Sequence, residues 1–218
     1  MWTLAFDTTT TFCSIILMKD KTKIDSFVQE MTFGQSEVLI LQIKQILDKQ
    51  NLKIEDLDLM AVCTGPGSFT GVRSSIAAIR AFGLAAPQLT LCGINAFDAY
   101  AHDLPHIDIA DRIVTIIETK REDFYIAYYD QNLKKIEAPK TAFYHDIIHQ
   151  LQGKHVIITG DGAKRFLSQP SGLHICDALF PLHPSVEQIA LLAIERYEQK
   201  NTDFPKPLYL KAADVCVK

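Results

Sequence analysis

The chain has 218 residues, 48% of them apolar, and a formal net charge of −4. That composition supports one large packed domain or two small ones and excludes a disordered chain. Its 22 Lys and Arg residues are scattered, which argues against a large nucleic-acid surface on this chain alone.

Taken in order, Thr3 to Asp7 and Phe12 to Met18 are apolar, β-branched runs and predict two strands. The polar turn Asp7-Thr8-Thr9-Thr10-Thr11 joins them, and Ile24 to Met31 predicts a third strand. Gln35 to Gln50 predicts a helix with Ser36 as its N-cap. Its apolar residues cover nearly the whole circumference of the N-terminal half, so a second face is expected against another chain. Leu59 to Thr64 predicts a buried strand, the stretch "GPGSFTGVR" (65–73) a turn, and Phe69 to Ala86 a second helix closed by Pro87. Small residues on that helix (Gly71, Ser74, Ser75, Ala77, Ala78, Ala81, Gly83) would let a neighbouring backbone approach closely. Leu89 to Ile94 predicts a strand and Asn95 to Ala101 a short helix. The second half predicts a hairpin from Arg112 to Glu118 and "DFYIAYYD" (123–130). Thr141 to Gln150 follows as a helix, His155 to Thr159 as a strand, Gly160-Asp161-Gly162 as a turn, and Val186 to Lys200 as a helix. This order partly repeats the first half and predicts a duplicated α/β plan with a mixed sheet in each half. The division expected is 1–104 and 105–218.

The sequence supplies no complete catalytic constellation. The loop at 65–73 fails GxxxxGK[ST] and, with its third glycine one place late, fails GxGxxG. It still offers helix N–H groups that could receive an anion, against the plainer reading of a tight turn with a helix close behind. Asp7 with its threonines could hold a metal-bound phosphate through water, although such residues build turns in any protein. The second glycine turn, with Asp161 at its tip, could clamp the same nucleotide from the other half. His102 and His106 have metal-ligand spacing, but Pro105 interrupts the helix between them. His145 and His149 share the spacing and are expected on a solvated face. The five cysteines (13, 63, 92, 176 and 216) are far apart and lack a CxxC pair, as expected for reduced core thiols of a cytoplasmic protein. No apolar run approaches the ~20 residues of a membrane span, and Met1-Trp2-Thr3-Leu4 does not read as a signal peptide.

The combination is more specific than its parts. "LAFDTTTTFCSIIL", "GPGSFTGVRSSIAAIRAFGLA", "GINAFDAYA", "FYIAYYD" and the terminal "PLYLKAAD" resemble, in that order, the TsaB (YeaZ) family. The resemblance implies the actin-like/Hsp70-like ATPase fold, built of two RNase H-like subdomains. It implies a role in making the threonylcarbamoyl modification of tRNA adenosine, beside a catalytic paralogue, TsaD, and an ATPase, TsaE. The paralogue's HxxxH metal motif aligns with "GINAFDAY", where Ala96 and Tyr100 stand in place of the histidines; neither can replace imidazole as a ligand. Two places depart from the family pattern. Gln35-Ser36 stands where His-Ser or His-Thr is usual, and Glu118-Thr119-Lys120 with Glu122 where Asp-Ala-Arg and a glycine are usual.

The expectation is therefore a non-catalytic scaffold that docks to TsaD, or to a second copy of itself, through its two N-terminal helices. Leu39, Ile43 and Ile46 on the first and Val72, Ser75, Ile76, Ala78 and Ile79 on the second are the expected interface, with no metal. Asp7, Thr8, Gly65, Gly67, Ser68, Gly160 and Gly162 are the expected contacts for ATP or ADP, should one bind at a subunit interface. The alternative is a nucleotide-dependent enzyme of the same fold; a metallopeptidase is a more distant one.

Overall fold

The structure, a computed structural model, describes residues 1–105 and 110–211. His106, Cys216 and the end of the terminal motif from Ala212 onward lie outside the described residues.

β1 (Trp2–Asp7), β2 (Phe12–Lys19) and β3 (Thr22–Glu30) form an antiparallel meander in which Ile15 faces Phe6 on one side and Phe27 on the other. α1 (Gln35–Lys49) crosses to β4 (Leu59–Cys63), which pairs parallel with β1. α2 (Phe69–Ala85) crosses to β5 (Thr90–Ile94), parallel with β4, and α3 (Ala96–Ala101) follows. The sheet runs β3-β2-β1-β4-β5.

The second half repeats this plan. β6 (Arg112–Glu118), β7 (Asp123–Tyr129) and β8 (Lys140–Phe143) make the meander. α4 (Tyr144–Leu151), β9 (His155–Thr159), α5 (Ala163–Leu167), β10 (His174–Ala178) and α6 (Val186–Glu198) follow. β9 is parallel to both β6 and β10, so the sheet order is β10-β9-β6-β7-β8. Each half is a meander, a helix, a parallel strand, a helix, a parallel strand and a closing helix.

Burial divides the apolar residues into three layers. The outer face of the first sheet (Leu4, Phe6, Ile15, Leu17, Met60, Val62) packs under α1 and α2. The outer face of the second (Val114, Ile116, Phe124, Ile126, Ile158) packs under α4 and α5. The inner faces of both sheets share one core with α3 and α6, including Ala5, Ile94, Ile113, Tyr129, Ile157 and Ile189. The closing helices are exchanged: α3 packs on β6 and β7, and α6 on the strands of the first sheet. Strands buried on both faces read as nearly continuous apolar runs, which is why β1, β4, β6 and β9 were visible in the sequence.

Four expectations need correction. Ser36 does not cap α1; Gly34, at φ 86°, occupies the N-cap and no side chain caps the helix. The segment expected as a helix over 141–150 begins instead as β8, because its first residues pair with Asp123–Ile126. α5 and β10 were not expected at all.

The fourth concerns the expected interface. Leu39, Ile43, Ile46, Val72, Ser75, Ile76 and Ile79 are buried against the first sheet. Each large apolar side chain gains roughly 1.5–3 kcal/mol there, so the sheet claims it before any partner can. Ala78 is only partly buried. What faces outward is a different set: Ile40 and Leu41 on α1, Phe69, Ala77, Ala81 and Leu84 on α2, and Phe33 just before α1. Leu84 and Phe33 are each 85% exposed.

Candidate functional site

The two glycine turns occupy equivalent places in the two halves, each between a parallel strand and the following helix. Gly65 (φ 89°) and Gly160 (φ 109°) open them in the left-handed region. Behind Gly65, close approach dominates. A Cβ on Gly67 would collide with the Thr9 carbonyl, and one on Gly71 with the Thr8 carbonyl. The Ser68 N–H donates to Thr9 O at 2.6 Å, and Ser68 Oγ caps α2 by accepting from Gly71 N at 3.3 Å. Thr8 Oγ1 donates to Gly71 O at 2.9 Å and lies 2.7 Å from Ser75 Oγ. The turn thus locks the start of α2 onto the β1–β2 hairpin. In the second half Gly160 and Gly162 close in the same way on the backbone of Ile116 and Ile117.

Buried polar groups gather behind these turns. Asp7 is fully buried; its Oδ1 accepts from Thr9 N at 2.9 Å, and its Oδ2 has no hydrogen-bond partner among the described residues. Burial raises its pKa, against the hydrogen bonds from Thr9. Asp161 accepts from Glu118 N at 2.9 Å, and burial, with the Glu118 charge as a lesser cause, pushes its pKa up to about 6. Glu118 is itself held by Arg165 through two contacts of 2.7 Å. The Tyr100 hydroxyl is buried, lacks a partner among the described residues, and feels the charges of both Asp161 and Asp7. Ala96 and Tyr100 are both buried in α3.

A cleft of about 500 Å³ opens at the seam between the halves. Pro66, Gly67, Phe69 and Arg73 line it from the first half, Thr119 and Tyr125 from the second, and Leu208 to Lys211 from the C-terminal segment. A larger hollow of about 880 Å³ lies beside Met1, Asp20 and Glu198, away from both glycine turns. Among the expected nucleotide contacts, Gly67 and Ser68 are exposed and Gly67 lines the cleft, whereas Asp7, Thr8, Gly65, Gly160 and Gly162 are buried and do not line it. Among the described residues no three His, Cys, Asp or Glu side chains group as metal ligands. His102 Nδ1 lies 2.9 Å from the Asp98 carbonyl, and His145 and His149 stand on the solvated face of α4.

Comparison with known proteins gives one consistent picture. The sequence model of the family described as TsaD, tRNA N6-adenosine threonylcarbamoyltransferase, matches residues 34–157. The Escherichia coli K12 protein named tRNA threonylcarbamoyladenosine biosynthesis protein TsaB is 27% identical over 219 residues, spanning 95% of this chain and 94% of that one. YeaZ from Pseudomonas aeruginosa superposes with a TM-score of 0.81 at 20% identity, over 96% of this chain and 99% of that one. The activator of 2-hydroxyisocaproyl-CoA dehydratase from Clostridium difficile, solved with bound ADPNP, superposes at 0.50 and 11% identity, over 93% and 98%. The fold is that of the actin-like/Hsp70-like ATPases. On the family match and the near-full-length relatives together, the chain belongs to the TsaD-type threonylcarbamoyltransferase family and stands within it among the TsaB (YeaZ) proteins.

Proposed function

We propose that this chain is a non-catalytic docking subunit in the synthesis of threonylcarbamoyladenosine in tRNA, working in the cytoplasm beside a TsaD-type partner and the ATPase TsaE. The observation that carries the proposal is the match to TsaB over 95% of the chain. Two features of the molecule support the division of labour. Ala96 and Tyr100 supply no imidazole where the paralogue holds its metal, and both are built into the core. The outward apolar face of α1 and α2 is also larger than a solvated helix pair needs, with Ile40, Leu41, Phe69 and Leu84 all about half exposed or more.

The occupant of that face is a TsaD-type chain. The TsaD family model covers residues 34–157, which include both helices, so the partner presents an equivalent pair. The two pairs would close as a bundle, with Ala77 and Ala81 letting the backbones approach. A second copy of this chain could use the same face and form a homodimer when TsaD is absent. Ala77→Glu places a charge in the middle of the face without touching the sheet. Wild-type chain is expected to co-elute with its own TsaD in size-exclusion chromatography, and the Ala77→Glu chain to elute alone with an unchanged melting temperature. Intact co-elution of both Ala77→Glu and Leu84→Asp would overturn the proposal.

A second reading, a nucleotide-dependent enzyme, is favoured by the buried Asp7 Oδ2 and Tyr100 Oη, which have no hydrogen-bond partner among the described residues. Asp7, Thr8, Gly65, Gly67, Ser68, Gly160 and Gly162 would then contact ATP or ADP. Titration calorimetry with ATP and Mg²⁺, followed by a phosphate-release assay, separates the two readings. Turnover by the isolated chain that disappears in Asp7→Ala would favour the enzyme.

A further inference from the structure

The segment 203–211 has no regular secondary structure, yet it is tied down along its whole length. It begins on β5, the edge strand of the first sheet. Gly93 N donates to Asp203 O at 2.7 Å, and Arg196 of α6 reaches the Asp203 carboxylate at 3.1 Å. Pro205 and Pro207 offer no N–H, so the segment cannot continue as a paired strand. Side chains of α2 hold it instead. Arg80 donates twice to Pro205 O, at 3.2 and 2.7 Å, with its guanidinium 5.2 Å from the Phe204 ring centre. Leu208 N donates to Thr64 O at 2.9 Å, next to the glycine turn, and Arg73 donates to Tyr209 Oη at 3.0 Å. At its far end Lys211 pairs with Asp123 on β7, in the other half. The segment therefore starts on one sheet, forms a wall of the seam cleft, and ends on the other.

The anchors differ in kind from the core. Arg73 and Arg80 are exposed residues of α2, and Leu208 and Leu210 are only partly buried. Pro205 is buried and Leu208 and Leu210 pack against the shared core, but the segment joins no strand or helix ladder and Asp203, Phe204, Lys206 and Tyr209 are exposed, which places it toward the low-stability end of the structure. We propose that residues 203–211 are a clasp that forms one wall of the seam cleft beside the glycine turn and opens as a unit while both sheets stay folded. This does not rest on the docking reading.

Cys92 reports on the clasp from within. It is fully buried on the edge strand β5, next to Asp203, whereas Cys13 and Cys63 are fully buried on β2 and β4, each of which has a neighbouring strand on both sides. The test is alkylation by iodoacetamide under native conditions, with each cysteine followed by peptide mass spectrometry. In Arg80→Ala, which removes two charge-assisted hydrogen bonds from the clasp, Cys92 is expected to react about tenfold faster than in wild type, while Cys13 and Cys63 keep their slow rates. Lys211→Ala, cut from the second half only, is expected to change Cys92 in the same direction. An unchanged Cys92 rate in both variants would overturn the proposal. So would a parallel rise at all three cysteines, since the segment would then melt only with the core.

Discussion

Asp98 is the residue on which the two halves converge. Its carboxylate, 7% exposed, receives Tyr129 Oη at 2.8 Å, Asn95 Nδ2 at 2.6 Å, Lys135 Nζ at 2.6 Å and Arg196 Nη2 at 3.1 Å. Burial alone would raise its pKa. The Lys135 ammonium and the hydrogen bonds outweigh burial, and the pKa lies below the usual value. Asp98→Ala leaves two cations and a phenol facing a void, and breaking such a buried pair costs about 3–5 kcal/mol. At the size of this chain that is a fall of roughly 6–20 °C in melting temperature, measurable by calorimetry.

The sign of the pH dependence separates Asp98 from Asp161. A depressed folded pKa means that the Asp98 contribution is present above the unfolded value of about 3.9 and is lost as pH falls through the lower folded value. Asp161, raised to about 6, behaves in the opposite way. Its charge costs stability above about pH 6, and the cost is relieved as pH falls toward the unfolded value. Asp161→Asn is therefore expected to melt higher than wild type at pH 7.5, with the difference shrinking toward pH 4. An equal difference at both pH values would show that Asp161 is not the titrating group.

At the scale of elements, the glycine turn fixes where α2 begins. Gly71→Ala forces a methyl into the Thr8 carbonyl, which belongs to the backbone of the hairpin and cannot rotate away. The expected loss is about 1–3 kcal/mol in urea unfolding, typical of overpacking. A neutral substitution would mean that α2 can slide along the hairpin. Ile76→Asp should unfold the chain rather than merely detach a partner, because Ile76 lies in the core.

Much of this level was legible in the sequence. β6 and β9 stand where apolar runs placed them, since a strand buried on both faces leaves an unbroken signature. β8 was not legible: Lys140–Phe143 is a half-buried edge strand that runs directly into α4, so its few residues joined the helical pattern after them. β10, "HICDA", is a five-residue edge strand with mixed polarity and gave no signal. Which side of α1 and α2 faces outward was not legible for a related reason. An apolar surplus on α1 and α2 could be seen, but the sheet beneath them could not. The sheet takes the 39-43-46-47 stripe and leaves Ile40 and Leu41 outside. In the seam, Asp7 and the glycines were visible as residue types. That Asp7 is buried and that a C-terminal segment lines the seam cleft left no local trace, the latter because it depends on contacts such as Leu208 to Thr64 and Tyr209 to Arg73, more than 100 positions apart.

At the scale of the whole molecule, two copies of one plan are joined by exchanged helices, by Asp98 and by the segment 203–211. Such an arrangement resists relative motion of the halves and suits a chain that presents one rigid face to a partner. The seam holds a cleft of about 500 Å³, and the α1–α2 face carries exposed Ile40, Leu41, Phe69 and Leu84. The docking role is tested most directly by reconstituting tRNA threonylcarbamoylation with TsaD, TsaE, a threonylcarbamoyl-adenylate source and tRNA, with and without this chain. Modification is expected only when the chain is present, to persist with Asp7→Ala, and to be lost with Ala77→Glu. Full modification without the chain, or its loss in Asp7→Ala with Ala77→Glu fully active, would contradict the docking role.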